Sequence, residues 1–170
     1  MTFLMQQSQP EHQSSTGARP IGVTDERAAA TAVQQMFDTI APKYDLLNHL
    51  LSVGLDRWWW SRAARVFRSV LQKPEAVALD LCCGTGDMTL ALLKHRPKAA
   101  EAAPILALDF SHQMLSRGAQ KFASHNIIPV EADALHLPLA DDSVDLVTSA
   151  FGFRNLANYE EGLEIGRAHV

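Results

Sequence analysis

Apolar positions change their spacing once along this chain. From Asp25, residues Ala29, Val33, Met36, Phe37 and Ile40 recur at helical intervals, and Pro42 is expected to end that run. A second short helix is predicted over Tyr44–Leu51, stopping near Gly54, and Asp56 can cap a third that reaches about Leu71. Beyond that point the period shortens. Val77–Leu81, Ile105–Asp109, Ile127–Ala132 and Val144–Ser149 read as strands. Helices are predicted between them, over Asp87–His95 and from a Ser111 cap through Phe122. Pro129 marks the third strand as an edge strand. Asn158 can cap a final helix, which Gly166 is expected to interrupt. Strands alternating with helices predict an α/β domain built on a parallel sheet with right-handed crossovers.

The organisation follows from this pattern. Residues 1–24, rich in Gln, Ser, Gly and Pro, read as a disordered leader. Residues 25–170 form one domain, with a helical part over 25–73 and a sheet over 74–170. No internal repeat is visible.

Within the sheet region one stretch carries chemistry. Leu79-Asp-Leu-Cys-Cys-Gly-Thr-Gly86 is an apolar strand that runs into a Gly-x-Gly turn, and the next strand ends at Asp109, followed by Phe110. Such a unit seats a nucleoside on the glycines and bonds its ribose hydroxyls to the carboxylate. A dinucleotide site has a third glycine three residues on and a pyrophosphate at the helix N-terminus. Here the third position is Thr89, and Asp87 stands where the pyrophosphate would lie, with Asp80 nearby. Carboxylates favour a cation, so a phosphate-free, positively charged cofactor fits better. S-adenosyl-L-methionine, with a ribose, an ammonium and a sulfonium, meets that description. The bland alternative is a glycine turn with no ligand.

Composition narrows the classes. The net charge is -4, from 15 Lys and Arg against 19 Asp and Glu, which gives no footing for nucleic-acid binding. Hydrophobic residues make up 47% and charged ones 20%, as in globular domains. No apolar run approaches membrane-spanning length, and Met1–Met5 does not open a secretory signal, so a cytoplasmic location is expected. The two cysteines, Cys82 and Cys83, are adjacent and read as small residues lining the turn. The histidines show no metal-ligand spacing, and no metal site is expected. Asp141 and Asp142 read as a polar turn.

Three further stretches add a resemblance. They are Met36-Phe-Asp-Thr-Ile-Ala-Pro-Lys-Tyr-Asp-Leu-Leu-Asn48 with Leu51-Ser-Val-Gly-Leu-Asp-Arg-Trp58, Asp133-Ala-Leu-His-Leu-Pro138, and Ala150-Phe-Gly-Phe-Arg-Asn-Leu156. Together with the glycine turn they resemble the ubiquinone/menaquinone biosynthesis C-methyltransferases, from about Val33 to Leu163. The resemblance implies the Rossmann-like class I methyltransferase fold, with N-terminal helices. It also implies S-adenosyl-L-methionine as donor and a polyprenyl quinol ring carbon as acceptor, with demethylmenaquinol favoured over the ubiquinone precursor. Cofactor-binding residues implied are Asp80, Gly84, Thr85, Gly86, Asp109, Phe110, Asp133 and Ala134, with Asp133 facing the adenine amino group. That fold has about three more strands after the fourth, so the chain is expected to be a truncated fragment. Its last residues, Ile165–Val170, match one reading frame of a common sequencing adapter and read as a foreign tail.

The chemistry needs alignment of sulfur, methyl and ring carbon, and a partner for the phenolate oxygen. Arg154 is the candidate for that partner and Tyr44 for placing or relaying a proton. A pairing of Arg154 with Asp45, tying the N-terminal helices to the sheet, is the structural alternative. The stretch Arg57–Arg68 carries three tryptophans and four arginines. A lipid quinol would make peripheral contact with an anionic membrane useful; the alternative is that the tryptophans pack on the domain and the arginines are solvated. Other classes remain open: a methyltransferase of another small molecule, a nicotinamide oxidoreductase, or a fragment without activity.

Overall fold

A computed structural model of the chain describes residues 17–23, 25–51, 56–98 and 102–170. Helices α1 (Glu26–Leu51), α2 (Asp56–Val66) and α3 (Arg68–Leu71) precede the sheet. Strand β1 (Ala78–Leu81) leads into α4 (Asp87–Leu93), β2 (Ile105–Asp109) into α5 (His112–Phe122), and β3 (Ile127–Glu131) is followed by β4 (Leu146–Thr148). A 3-10 turn (Phe153–Asn155) and α6 (Tyr159–Ala168) close the chain.

All pairings in the sheet are parallel, and the order is β3-β2-β1-β4. The strand order therefore reverses between β1 and β4, the place where open α/β sheets bind ligands beyond their carboxyl ends. Central β1 is buried along its whole length, as a parallel strand covered on both faces must be. Its alternating residues serve two cores. Ala78 joins Leu92, Ile105 and Phe122 on one side; Leu79 and Leu81 join Leu108, Ala134 and Leu156 on the other. Pro129 lies on β3, at one edge of the sheet, as its missing N–H requires. The connection from β3 to β4 holds turns and no helix, so the strand–helix alternation stops there.

Three boundaries differ from the pattern. Pro42 does not stop a helix: α1 runs through it as one element. An interior proline costs about 3 kcal/mol, and α1 is held by burial of Ala29, Val33 and Ala41 and by polar ties to β2's end. The third predicted helix breaks at Phe67, whose N–H bonds back to Ala64 in a tighter turn, so that Leu71 can be fully buried. Gly166 does not interrupt α6. The helix continues to Ala168, and its end is held by bonds from Asp142 and Val144 N–H to the carbonyls of Ala168 and His169. The predicted caps Ser111 and Asn158 accept from the N–H of Met114 and Glu161, at 3.2 Å each. Asp145 precedes β4; its carboxylate accepts from Val77 N–H at 2.8 Å.

Of the predicted leader, residues 1–16 and 24 lie outside the described residues. Ala18 N–H bonds Leu156 O at 2.7 Å and Val23 packs on the second core, so the chain docks onto the domain before residue 25.

Candidate functional site

At the carboxyl end of β1 the chain turns through Cys82–Gly86. Cys83 N–H donates to Leu108 O, and Gly86 N–H to Cys83 O, both at 2.9 Å, so the turn is tied to β2 and to itself. The Asp109 carboxylate completes it: one oxygen accepts from Gly84 N–H at 2.8 Å and the other from Ser111 N–H at 2.9 Å. Asp109 is buried, which raises its pKa, while those backbone donors pull the other way. A carboxylate has about four acceptor sites, so it retains capacity for a vicinal diol.

Asp80 is set deeper. It is wholly buried, accepts from Thr89 Oγ1 at 2.6 Å and Thr148 Oγ1 at 3.1 Å, and burial lifts its pKa to about 6. It ties β1 to α4 and β4 while lining the cavity floor. Thr89, notable in the sequence only for not being glycine, is thus a partner of Asp80. Asp87 does not act as a bare repulsive charge: Lys121 Nζ lies 3.2 Å from both Asp87 Oδ1 and Thr85 Oγ1. That corrects the argument against a pyrophosphate, which needed an uncompensated carboxylate. Lys121 comes from α5, far along the chain, and no local signal marks it.

The turn opens on a cavity of about 530 Å³, within the usual size for a small-molecule site. Tyr44, Asp80, Gly84, Thr85, Asp109, Phe110, Asp133, Ala134 and Arg154 all line it. Gly86 does not. It has φ +85 at the N-cap of α4, and a Cβ there would stand 2.2 Å from the Phe122 ring, so this glycine serves packing behind the turn. Asp133 Oδ1 accepts from Leu135 N–H at 2.9 Å, leaving its other oxygen beside His136 at 3.4 Å. Phe110 presents its carbonyl to Gln34 Nε2 at 2.6 Å.

The opposite wall is aromatic. Tyr44 lies over the glycine turn near Gly84, and its ring meets Phe37 edge-on at 6.1 Å. Trp60 from α2 meets Phe151 edge-on at 5.3 Å, and the Arg154 guanidinium lies 6.0 Å from the Phe151 ring centre. The Asp45 side chain lies outside the described residues, so its pairing with Arg154 does too. Sequence reasoning missed Gln34 and Asp38, which latch α1 to β2's end. Asp38 accepts from Ser111 Oγ at 2.5 Å. It also missed Phe37, Ile40 and Trp60 as cavity residues; their helical spacing reads equally well as ordinary core. Burial first, then the neighbouring Asp109 and Asp80, pushes the Cys82 thiol up to about 12, and burial likewise raises Cys83, so the thiolate form is disfavoured at both.

A parallel sheet with a glycine turn, an acid ending the second strand and a cavity at the switch point is a Rossmann-like nucleoside-binding arrangement, and its relatives place it in the class I methyltransferase fold. The profile of the ubiE/COQ5 methyltransferase family matches residues 23–168, and the chain belongs to that family. It is 44% identical over 146 residues to a demethylmenaquinone methyltransferase of Deinococcus radiodurans, covering 85% of this chain and 57% of that protein. It is 39% identical over 136 residues to the ubiquinone/menaquinone biosynthesis C-methyltransferase UbiE of Geotalea daltonii, covering 78% of this chain and 55% of that protein. The chain thus spans about half the length of the curated relatives it matches. Among solved structures, Haemonchus contortus phosphoethanolamine N-methyltransferase 1, in complex with phosphoethanolamine and S-adenosylhomocysteine, shares the fold. Its TM-score is 0.57 at 22% identity, over 74% of this chain and 26% of that one.

Proposed function

We propose that the protein carrying this chain transfers a methyl group from S-adenosyl-L-methionine to a ring carbon of a polyprenyl quinol, with demethylmenaquinol as the acceptor. The carrying observation is the buried Asp109 carboxylate clamped to the Gly84 turn, facing an aromatic wall across one cavity. The residues present fit the donor. Asp109 offers acceptor capacity for the ribose diol, Asp133 an acceptor for an adenine amino group, and Phe110 an apolar surface for the base. When bound, that cofactor supplies an electrophilic methyl on a sulfonium. The protein's task is then to hold and align. Asp109 and Gly84 fix the sugar, Tyr44 closes over the turn and excludes water, and Arg154 faces the acceptor end as a cation for a phenolate oxygen. The names of the relatives support the quinone class; the ubiquinone precursor is the second acceptor to try, because the Geotalea relative carries both quinones in its name.

The full-length protein, given methyl-labelled donor and demethylmenaquinol, is expected to release one S-adenosylhomocysteine per methylated ring. Arg154→Ala is expected to lower kcat about 100-fold with donor affinity unchanged. Saturation with NADH and none with the methyl donor would overturn the reading.

The same reading places the protein at the inner face of a membrane. Among the described residues no helix is long and apolar enough to cross one. Trp60 packs inward, but Trp58 and Trp59 stay exposed, at 60% and 47%, beside the exposed Arg62, Arg65 and Arg68. A basic, tryptophan-bearing face suits anionic headgroups. Flotation with vesicles containing phosphatidylglycerol, and not with phosphatidylcholine alone, is the expected result; equal recovery with both would remove the membrane from the proposal.

A further inference from the structure

Two loops meet at the mouth of the cavity, and their contact is unusually close. Beyond β4, Phe151 has φ +63, a left-handed value that a bulky aromatic residue rarely takes. Just beyond β1, Cys82 has φ +56. Gly152 lies against Cys82: a Cβ on Gly152 would stand 2.2 Å from Cys82 Cβ and 3.2 Å from its carbonyl oxygen. Neither atom is the end of a flexible side chain, so only glycine lets the two loops seat this closely. The loop at 82–86 cradles the donor in the reading above, and the loop at 151–154 carries the acceptor wall. Seating one on the other sets the distance between the two halves of the reaction.

The left-handed turn also aims the Phe151 ring. It leaves the core, stays 54% exposed, abuts the edge of Trp60 and lies near the Arg154 guanidinium. A strained backbone that presents a large apolar ring to solvent does little for stability, and such strain clusters where a ligand is clamped. The ring, the Trp60 edge and the Arg154 cation together suit a flat aromatic acceptor with an oxygen on the ring.

We infer that Phe151 positions the acceptor ring, and that Gly152 seated on Cys82 fixes Phe151 relative to the donor turn. This deepens the quinol methyltransferase reading and rests on it. In the full-length enzyme, Phe151→Ala is expected to raise acceptor KM about tenfold, with S-adenosylhomocysteine affinity by calorimetry and Tm unchanged, and Phe151→Tyr to restore most of it. Gly152→Ala is expected to lower kcat about 100-fold, the scale of a 1 Å misplacement, while the donor still binds. Adding Cys82→Gly removes the clashing Cβ and is expected to recover most of that loss, which also covers the case in which Gly152→Ala alone folds poorly. Unchanged acceptor KM in Phe151→Ala, or no recovery in the double variant, overturns the inference. Absence of methyl transfer in the unmodified enzyme instead overturns the reading beneath it.

Discussion

The half of the cavity proposed for the donor and the half proposed for the acceptor are built in opposite ways. Around Asp109, Asp80 and Thr85 the polar side chains are buried and partnered: Asp109 by two backbone N–H groups, Asp80 by two threonine hydroxyls, Thr85 by Lys121. Across the cavity, Phe151 and Trp59 are half exposed, the Trp60 indole N–H is buried without a partner, and Phe151 sits in a left-handed conformation. A polar group buried and bonded is fixed before ligand arrives. The Phe151 backbone is held by the Gly152–Cys82 contact, but the outer face of its ring gains contacts only when something covers it. The difference teaches where stability resides: the half around Asp109 belongs to the folded core, whereas the aromatic half, on the proposed reading, is completed by the acceptor.

The sharpest way to break that contrast is Asp109→Ala. It orphans the buried Ser111 N–H, costing about 2 kcal/mol, and the part-buried Gly84 N–H, which cavity water can partly satisfy, and it removes the proposed diol partner. A drop of about 2 to 3 kcal/mol in denaturant unfolding is expected, with loss of detectable donor binding by calorimetry. Retention of both stability and affinity would show that the donor half is not the rigid side.

A smaller effect, specific in pH, comes from Asp80. Its native pKa of about 6 lies above the ordinary aspartate value of 3.8. The native state therefore binds the proton more tightly than the unfolded chain does. The stability this linkage contributes is full below pH 3.8 and is lost as pH rises through about 6. The span amounts to about 3 kcal/mol. Asp80→Asn keeps an acceptor for one threonine and carries no charge, so its melting temperature is expected to vary less with pH across that window than that of the unmodified protein. An unaltered pH profile would mean that Asp80 is not the titrating group.

The smallest effect is predicted for Lys121→Ala. Its pair with Asp87 is partly exposed, with side-chain accessibilities of 30% and 24%, so solvent screening limits its contribution to about 1 kcal/mol or less. Donor affinity is expected to fall no more than about fivefold, and the loss should shrink at high salt. A larger, salt-insensitive loss would place Lys121 inside the donor site and not behind it.

Local chemistry carried much of this molecule's reading. The four strands, the Ser111 and Asn158 caps and the glycine turn are legible because each depends on neighbours in the chain: alternation of apolar residues, a short hydroxyl or amide before a helix, glycine at positive φ. Asp109 was legible by the same token, since it closes a strand whose register is local, whereas Asp133, beyond the end of β3, was legible only through the family resemblance. Proline and glycine misled where burial outweighed propensity. Pro42 sits inside α1 because Ala29, Val33 and Ala41 bury that helix, and Gly166 sits inside α6 because the turn before β4 holds its end.

Strand order, cavity and charge balance depend on residues far apart along the chain, and there the one-dimensional pattern is silent. Only the folded chain brings Lys121 to Asp87, Asp38 to Ser111 and Phe122 under Gly86. Only it turns Gly152 into a contact with Cys82, as only it packs Trp60 inward while leaving Trp58 outside. The physical reason is the same throughout. Propensities and turns act over a few residues of backbone, whereas close packing and electrostatic pairing act between surfaces that meet only after the sheet has formed.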